Sequence, residues 1–324
     1  MLTAGYKPQL LIVVGLALAA CQSETAALPA DAAISDGRLL GDGAGDARIP
    51  DLLPNPPDYF GGDRPVSVRL PAGYRADQRY PLVFVLHGFS ANGFAQETYL
   101  RYRELPRSQP LILVSPDGTL NDLGARFWNA SAACCAYGKD VDDAGYLVGL
   151  LDEISRYYAV DKTRVYVVGH SNGGFMAYRL ACQHADKFTA IVSLAGGTFF
   201  EKQDCSPARP VSVLQVHGTL DSTVKYQGGQ LILGALETRY PGALNTVALW
   251  ADYNNCTGKL ELDPQQLDID GTLLGEETRV ERYAGCPKAG AVELWTIVGG
   301  IHLPNLTSGN FAALTWQWLS AQRR

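Results

Sequence analysis

The chain has 324 residues, 47% hydrophobic and 19% charged, with a formal net charge of −6. These are globular proportions, enough for one large core or two small ones. The acidic balance, with no Lys/Arg run longer than two, argues against a nucleic-acid-binding surface.

Residues 1–20 read as an export signal. Lys7 precedes "LLIVVGLALAAC", residues 10–21, a run too short to span a bilayer comfortably. Leu18-Ala19-Ala20-Cys21 resembles the bacterial lipobox. That resemblance implies cleavage after residue 20 and acylation of Cys21, with secretion as the plain alternative. Gln22 in the following position implies sorting to the outer membrane, facing the periplasm or the surface. Residues 21–64 are rich in Ala, Gly, Asp and Pro and show no period, which predicts a flexible tether.

From residue 65 to 324 the pattern is that of one α/β domain. "VSVRL" alternates, and "PLVFVLHG", "LILVSP", "VYVVG", "AIVSLAG", "VSVLQVHG" and "VELWTIVGG" are short apolar runs. Such runs fit strands buried on both faces, as in a mostly parallel sheet. Between them, "DDAGYLVGLLDEISRYY" repeats its apolar residues at helical spacing, and Asp142 or Asp143 can cap it. "NGGFMAYRLACQHA", "NTVALWADYNNC" and "NFAALTWQWLSAQ" are the other predicted helices, on both faces of the sheet.

One strand-to-helix junction carries chemistry. "VYVVGHSNGGFMAYRLA" places Gly169-His170-Ser171-Asn172-Gly173 at the turn, the pattern of a nucleophile elbow. A serine there needs a base later in the chain, after an intervening acid. Of the three histidines beyond Ser171, His184 falls about 20 Å along the following helix at ~1.5 Å per residue. His217 leaves no room for an acid loop before it. His302, in the loop after the last strand, is left as the base, and Asp221, just past the strand "VSVLQVHG", is the acid. The backbone N–H groups of Asn172 and of Phe89, in "VLHGFSANG", are the expected oxyanion donors. His87 is expected to orient that loop.

With these segments placed, the chain resembles the polyhydroxybutyrate depolymerase / feruloyl esterase family of α/β hydrolases. "LHGFSANG", "SPDG", "FWNASAACC", "VDDAGYL", "GHSNGGFMAYRLAC", "HGTLDSTVKY" and "ELWTIVGGIHLPN" carry the likeness from about Val66 to Trp318. The resemblance implies an α/β-hydrolase fold and a triad of Ser171, Asp221 and His302. It also places Trp128 near the substrate cleft, with a core aromatic as the alternative. The chain departs from the family at "GGIHLPN", where Ile301 replaces a glycine and Leu303 a tryptophan, so the rim of the cleft is expected to differ. With the sequence running only to Arg324, soon after the predicted last helix, the resemblance leads to an expectation of small or oligomeric esters rather than solid polymer.

The six cysteines beyond Cys21 suggest disulfides in an exported chain. Cys256–Cys286 and Cys182–Cys205 are the expected pairs, leaving Cys134 and Cys135 as a vicinal disulfide or two thiols. Asp268, Asp270, Gly271 and Glu277 partly match a calcium loop, but a β-turn at Asp270-Gly271 explains them, and no metal or cofactor is expected. The expected function is a serine carboxylic ester hydrolase acting on hydroxycinnamoyl or other short acyl esters, including those carried by plant-wall polysaccharide. Cleavage of hydroxyalkanoate oligomers is the second reading, and a non-catalytic surface lipoprotein is the rival from another class. A lipid-mediated membrane contact at Cys21 is expected; no nucleic-acid or protein partner is.

Overall fold

The computed structural model describes residues 51–135, 139–233, 236–307 and 310–324. The export signal and Cys21 lie outside the described residues. No helix among the described residues is long and apolar enough to cross a membrane.

In chain order the strands are β1 Val68–Arg69, β2 Tyr80–Leu86, β3 Ile112–Val114, β4 Thr119–Leu120, β5 Arg126–Phe127, β6 Val160–His170 and β7 Ala190–Leu194. They continue as β8 Ser212–Gly218, β9 Gly228–Leu233, β10 Leu236–Pro241, β11 Leu260–Leu267, β12 Thr278–Tyr283 and β13 Val292–Ile297. The α-helices are α1 Gly93–Tyr99, α2 Asp143–Ile154, α3 Asn172–Gln183, α4 Ala243–Tyr253 and α5 Asn310–Ser320.

The main sheet runs β1-β3-β2-β6-β7-β8-β13-β12-β11. Its centre, from β3 to β13, is parallel, while β1, β12 and β11 pair antiparallel at the edges. The apolar runs explain the parallel part. Phe84, Val167, Ile191, Val213 and Val292 are register partners across five strands and face one core layer. Val85, Val168, Val192 and Leu214, one residue further along each strand, face the other. Successive side chains point to opposite faces, so a strand apolar at every position must be covered twice. Helices α2, α3 and α4 cover the first layer and α5 the second.

Asp142, not Asp143, caps α2, accepting from the Gly145 N–H at 2.8 Å. Asp143 instead turns inward to Arg64. That contact corrects the expected tether boundary at residue 64. Phe60 is buried, exchanges backbone hydrogen bonds with Val66, and packs against Tyr157 and Tyr158. Leu53 donates to the Arg156 carbonyl, so residues 51–64 already run along the folded unit. An aromatic residue with a place to bury itself overrides a Pro/Gly-rich composition.

The antiparallel pair β11–β12 and the hairpin β9–β10 lie outside the predicted elements. A turn forms at Asp270, whose carbonyl accepts from the Leu273 N–H, and the following "TRVERY" is strand β12. Disulfides join Cys182 to Cys205 and Cys256 to Cys286, and Cys134 is bonded to Cys135.

Candidate active site

Ser171 occupies the junction between β6 and α3 with φ 54° and ψ −118°. A non-glycine residue held at positive φ costs about 1–3 kcal/mol, and it persists only where its surroundings enforce it. Two enforcing contacts are visible. The Ser171 N–H donates to the Leu194 carbonyl at 2.8 Å. The glycines on either side let strand and helix approach: a β-carbon on Gly169 would stand 2.0 Å from the Gly173 carbonyl oxygen, and one on Gly173 would stand 2.2 Å from that of Leu86.

The turn lifts the serine toward two other loops at the carboxyl ends of the strands. Ser171 Oγ lies 3.0 Å from His302 Nε2, in the loop after β13. His302 Nδ1 lies 2.7 Å from Asp221 Oδ2, in the loop after β8. If Nδ1 donates to the carboxylate, Nε2 is bare and can accept from the serine hydroxyl. Asp221 Oδ1 accepts from the N–H groups of Thr223 and Val224, at 2.8 and 2.9 Å. Burial alone would raise this carboxyl. Hydrogen bonds from His217 and His302, the positive charge that His302 can carry, and the Thr223 N–H outweigh it and hold Asp221 well below the usual carboxylate range.

Two further histidines support the arrangement, and sequence reasoning gives neither a place in it. His170 is buried, and its Nε2 lies 3.0 Å from the His302 carbonyl. A carbonyl only accepts, so Nε2 carries the proton and pins the His302 backbone. Burial, reinforced by nearby His302, pushes His170 down to about 4, so the ring is neutral at physiological pH. His217 stands beside Asp221, its Nε2 3.3 Å from Oδ2. The available signal is position: each lies within four residues of a predicted site residue, at a strand's carboxyl end.

The Phe89 loop is fixed around the nucleophile. The Gly88 N–H donates to Gln96 Oε1 at 3.0 Å and the Ser90 N–H to the Arg126 carbonyl at 2.8 Å. A β-carbon on Gly88 would come 3.4 Å from the Ser171 β-carbon, which sets the following residue, Phe89, beside the serine. His87 orients this loop. Its Nε2 accepts from the Gly118 N–H at 2.8 Å, which leaves the proton on Nδ1 to donate to the Gly88 carbonyl. A cavity of about 400 Å³ opens over Ser171 and His302, walled by Gly88, Phe89, Ala91, Ala95, Tyr99 and Leu303. Ile301 and Leu303, the departures in "GGIHLPN", are exposed at its side of the molecule.

Trp128 requires a correction. The resemblance places it near substrate, but it is 0% exposed and offers no surface to a ligand. Its indole donates to the His87 carbonyl at 3.1 Å. Its backbone exchanges two hydrogen bonds with the Asn172 side chain, at 2.7 and 2.9 Å. The tryptophan therefore clamps the Phe89 loop to the start of α3 from below. Asn172 Nδ2 also lies 3.5 Å from Cys134 Sγ, which places the vicinal disulfide against the same residue.

The parallel sheet, the helices on both faces and the serine turn at a strand's carboxyl end define an α/β-hydrolase fold. Residues 58–205 match the Esterase family model ("Putative esterase"). The chain is 32% identical over 244 residues to feruloyl esterase B of Piromyces equi, an alignment covering 74% of this chain and 42% of that protein. It is 26% identical over 257 residues to feruloyl esterase D of Neurospora crassa, covering 76% of each. Among solved structures it superposes on an acetyl xylan esterase from Aspergillus awamori with a TM-score of 0.55 at 14% identity, covering 80% of this chain and 94% of that one. The chain has the α/β-hydrolase fold and is similar in sequence to feruloyl esterases, and it spans less than half the length of the Piromyces relative.

Proposed function

We propose that the protein is a serine carboxylic ester hydrolase working through an acyl-enzyme, with hydroxycinnamoyl or other short acyl esters as substrates. The observation that carries this reading is the continuous line from Ser171 Oγ through His302 to the buried Asp221 carboxylate, opening into an apolar-walled cavity. Ser171 Oγ attacks the ester carbonyl while His302 Nε2 takes its proton. The Phe89 and Asn172 amides receive the charge that develops on the carbonyl oxygen, where a single such donor is worth about 3–4 kcal/mol. The imidazolium, steadied by Asp221, then returns its proton to the departing alcohol. Water repeats the cycle in reverse and releases the acid. No step requires a cofactor.

The names of the similar proteins favour a feruloyl ester, and the proposal includes one whose alcohol belongs to a plant-wall polysaccharide. The exposed aliphatic residues Ile301 and Leu303, where the family carries a glycine and a tryptophan, favour a second reading. In it, a flexible hydroxyalkanoate oligomer is the substrate. Export, lipid anchoring at Cys21 and an outer-membrane location are supported by the lipobox-like Leu18–Cys21 and by Gln22.

The test compares kcat/KM for methyl ferulate and for a 3-hydroxybutyrate oligomer, with Ser171→Ala as control. A ferulate preference of ~100-fold, about 2.7 kcal/mol of transition-state discrimination, is expected. The reverse preference selects the oligomer reading. Undiminished hydrolysis by Ser171→Ala defeats both.

A further inference from the structure

We infer that His217 is a positioning residue for Asp221, and that Gln215 fixes the tautomer in which it acts. The inference rests on the serine-esterase reading and deepens it. Gln215 lies in β8 two residues before His217, and both are buried. The Gln215 amide can point only one way. Its Oε1 accepts from the Tyr178 hydroxyl at 2.8 Å, and its Nε2 lies 3.0 Å from the Gly196 carbonyl, which can only accept.

The same amide nitrogen is 3.1 Å from His217 Nδ1. An amide N–H facing a ring nitrogen requires that nitrogen to be bare, so the single ring proton of His217 sits on Nε2. There it meets two oxygens of one turn: the Val224 carbonyl at 2.7 Å and Asp221 Oδ2 at 3.3 Å. Asp221 is thereby held on every side, by two backbone N–H groups on Oδ1 and by two imidazoles on Oδ2. His217 ties the carboxylate to the turn that carries it, and Tyr178 on α3 sets the amide that sets the ring.

The geometry separates the two carboxamide replacements. A glutamine amide reaches about as far as Nε2, whereas an asparagine amide reaches only as far as Nδ1. A hydrogen bond to a charged group accounts for about 10- to 100-fold in rate when removed. His217→Phe and His217→Asn are expected to lower kcat by that factor on an activated ester and to leave KM within twofold. His217→Gln is expected to recover at least half of the lost kcat on a logarithmic scale.

Gln215→Leu offers a test that leaves His217 in place, for the case that His217→Phe does not fold. It removes the donor that holds Nδ1 bare without adding a charge, and kcat is expected to fall at least threefold. Folded His217→Phe with kcat and KM both within twofold of the parent would overturn the inference. So would equal rates for His217→Gln and His217→Asn, or an unchanged kcat in Gln215→Leu. These outcomes count against His217 alone while Ser171→Ala is inactive; activity surviving in Ser171→Ala counts against the esterase mechanism itself.

Discussion

Replacing Asp221 with asparagine preserves shape and removes the charge, and the surrounding donors decide how the triad responds. In the parent, Oδ1 receives two backbone N–H groups, while Oδ2 lies 2.7 Å from His302 Nδ1 and 3.3 Å from His217 Nε2. An asparagine has one oxygen to offer. If it stays with the two backbone donors, the amide nitrogen takes the place of Oδ2 and faces His302 as a donor. His302 can meet it only with a bare Nδ1, which moves the ring proton to Nε2. There it confronts Ser171 Oγ at 3.0 Å and can no longer accept the serine proton. Turning the amide over sets its nitrogen against the Thr223 and Val224 N–H groups instead. The loss of the correct tautomer costs ~10⁴ in kcat in the serine-protease precedent, about 5.4 kcal/mol at 1.36 kcal/mol per tenfold. Asp221→Asn is therefore expected to lose about four orders of magnitude in kcat for a p-nitrophenyl ester, with its thermal midpoint within a few degrees of the parent. A folded Asp221→Asn within tenfold of parental kcat would refute this assignment of the acid.

Between its ordinary value of 6.5 and its buried value of about 4, His170 binds a proton in the unfolded chain but not in the folded one. Stability should fall as pH drops through that window, by up to about 3 kcal/mol. Urea denaturation at pH 7 and pH 4.5 measures it, and His170→Gln should flatten the slope; a steeper slope in the variant would contradict the account. Gly173→Ala brings a β-carbon to 2.2 Å from the Leu86 carbonyl oxygen, so it should cost about 1–3 kcal/mol or more and abolish ester hydrolysis by moving Ser171. Full activity in that variant would mean the elbow tolerates a wider separation than its geometry allows. Cys182 and Cys205 are separated by 23 residues, for which the loop-entropy relation gives about 3 kcal/mol. The double Cys→Ser variant should unfold at correspondingly lower urea, and an unchanged midpoint would show that this bridge does not constrain the unfolded chain.

Much of the sheet could be read in advance because strands covered on both faces appear as unbroken apolar runs, as in "LVFVL" and "VSVLQV". Ser171, Asp221 and His302 stand just past the ends of three such runs, so chain order sufficed to single them out, and the structure brings them into one hydrogen-bonded line. Strand β11 has no such run. Its residues are mostly exposed or half-buried, and its pairing with β12 fixes it more than any pattern of its own. Trp128 illustrates a different difficulty. A single tryptophan outside a periodic element gives no sign of which way it faces, and its burial follows from hydrogen bonds to His87 and Asn172, remote in sequence. His170 and His217 act through a backbone carbonyl and a carboxylate on distant loops, partners that only the folded chain assembles.

Asp143 decides where the chain can be shortened. It is 1% exposed, with Oδ1 accepting from Arg64 and Thr119 and Oδ2 from the Asn129 N–H. A fragment beginning at residue 65 would retain every proposed catalytic group and still lose the one cation paired with this carboxylate among the described residues. Breaking such a pair costs about 3–5 kcal/mol, with the low end appropriate to a partly exposed arginine. The disturbance would fall at Asn129, next to the tryptophan that clamps the Phe89 loop. The shortest durable form of this chain is therefore set by a guanidinium ahead of its first strand, and a proteolytic nick there should dull the proposed catalysis from a distance.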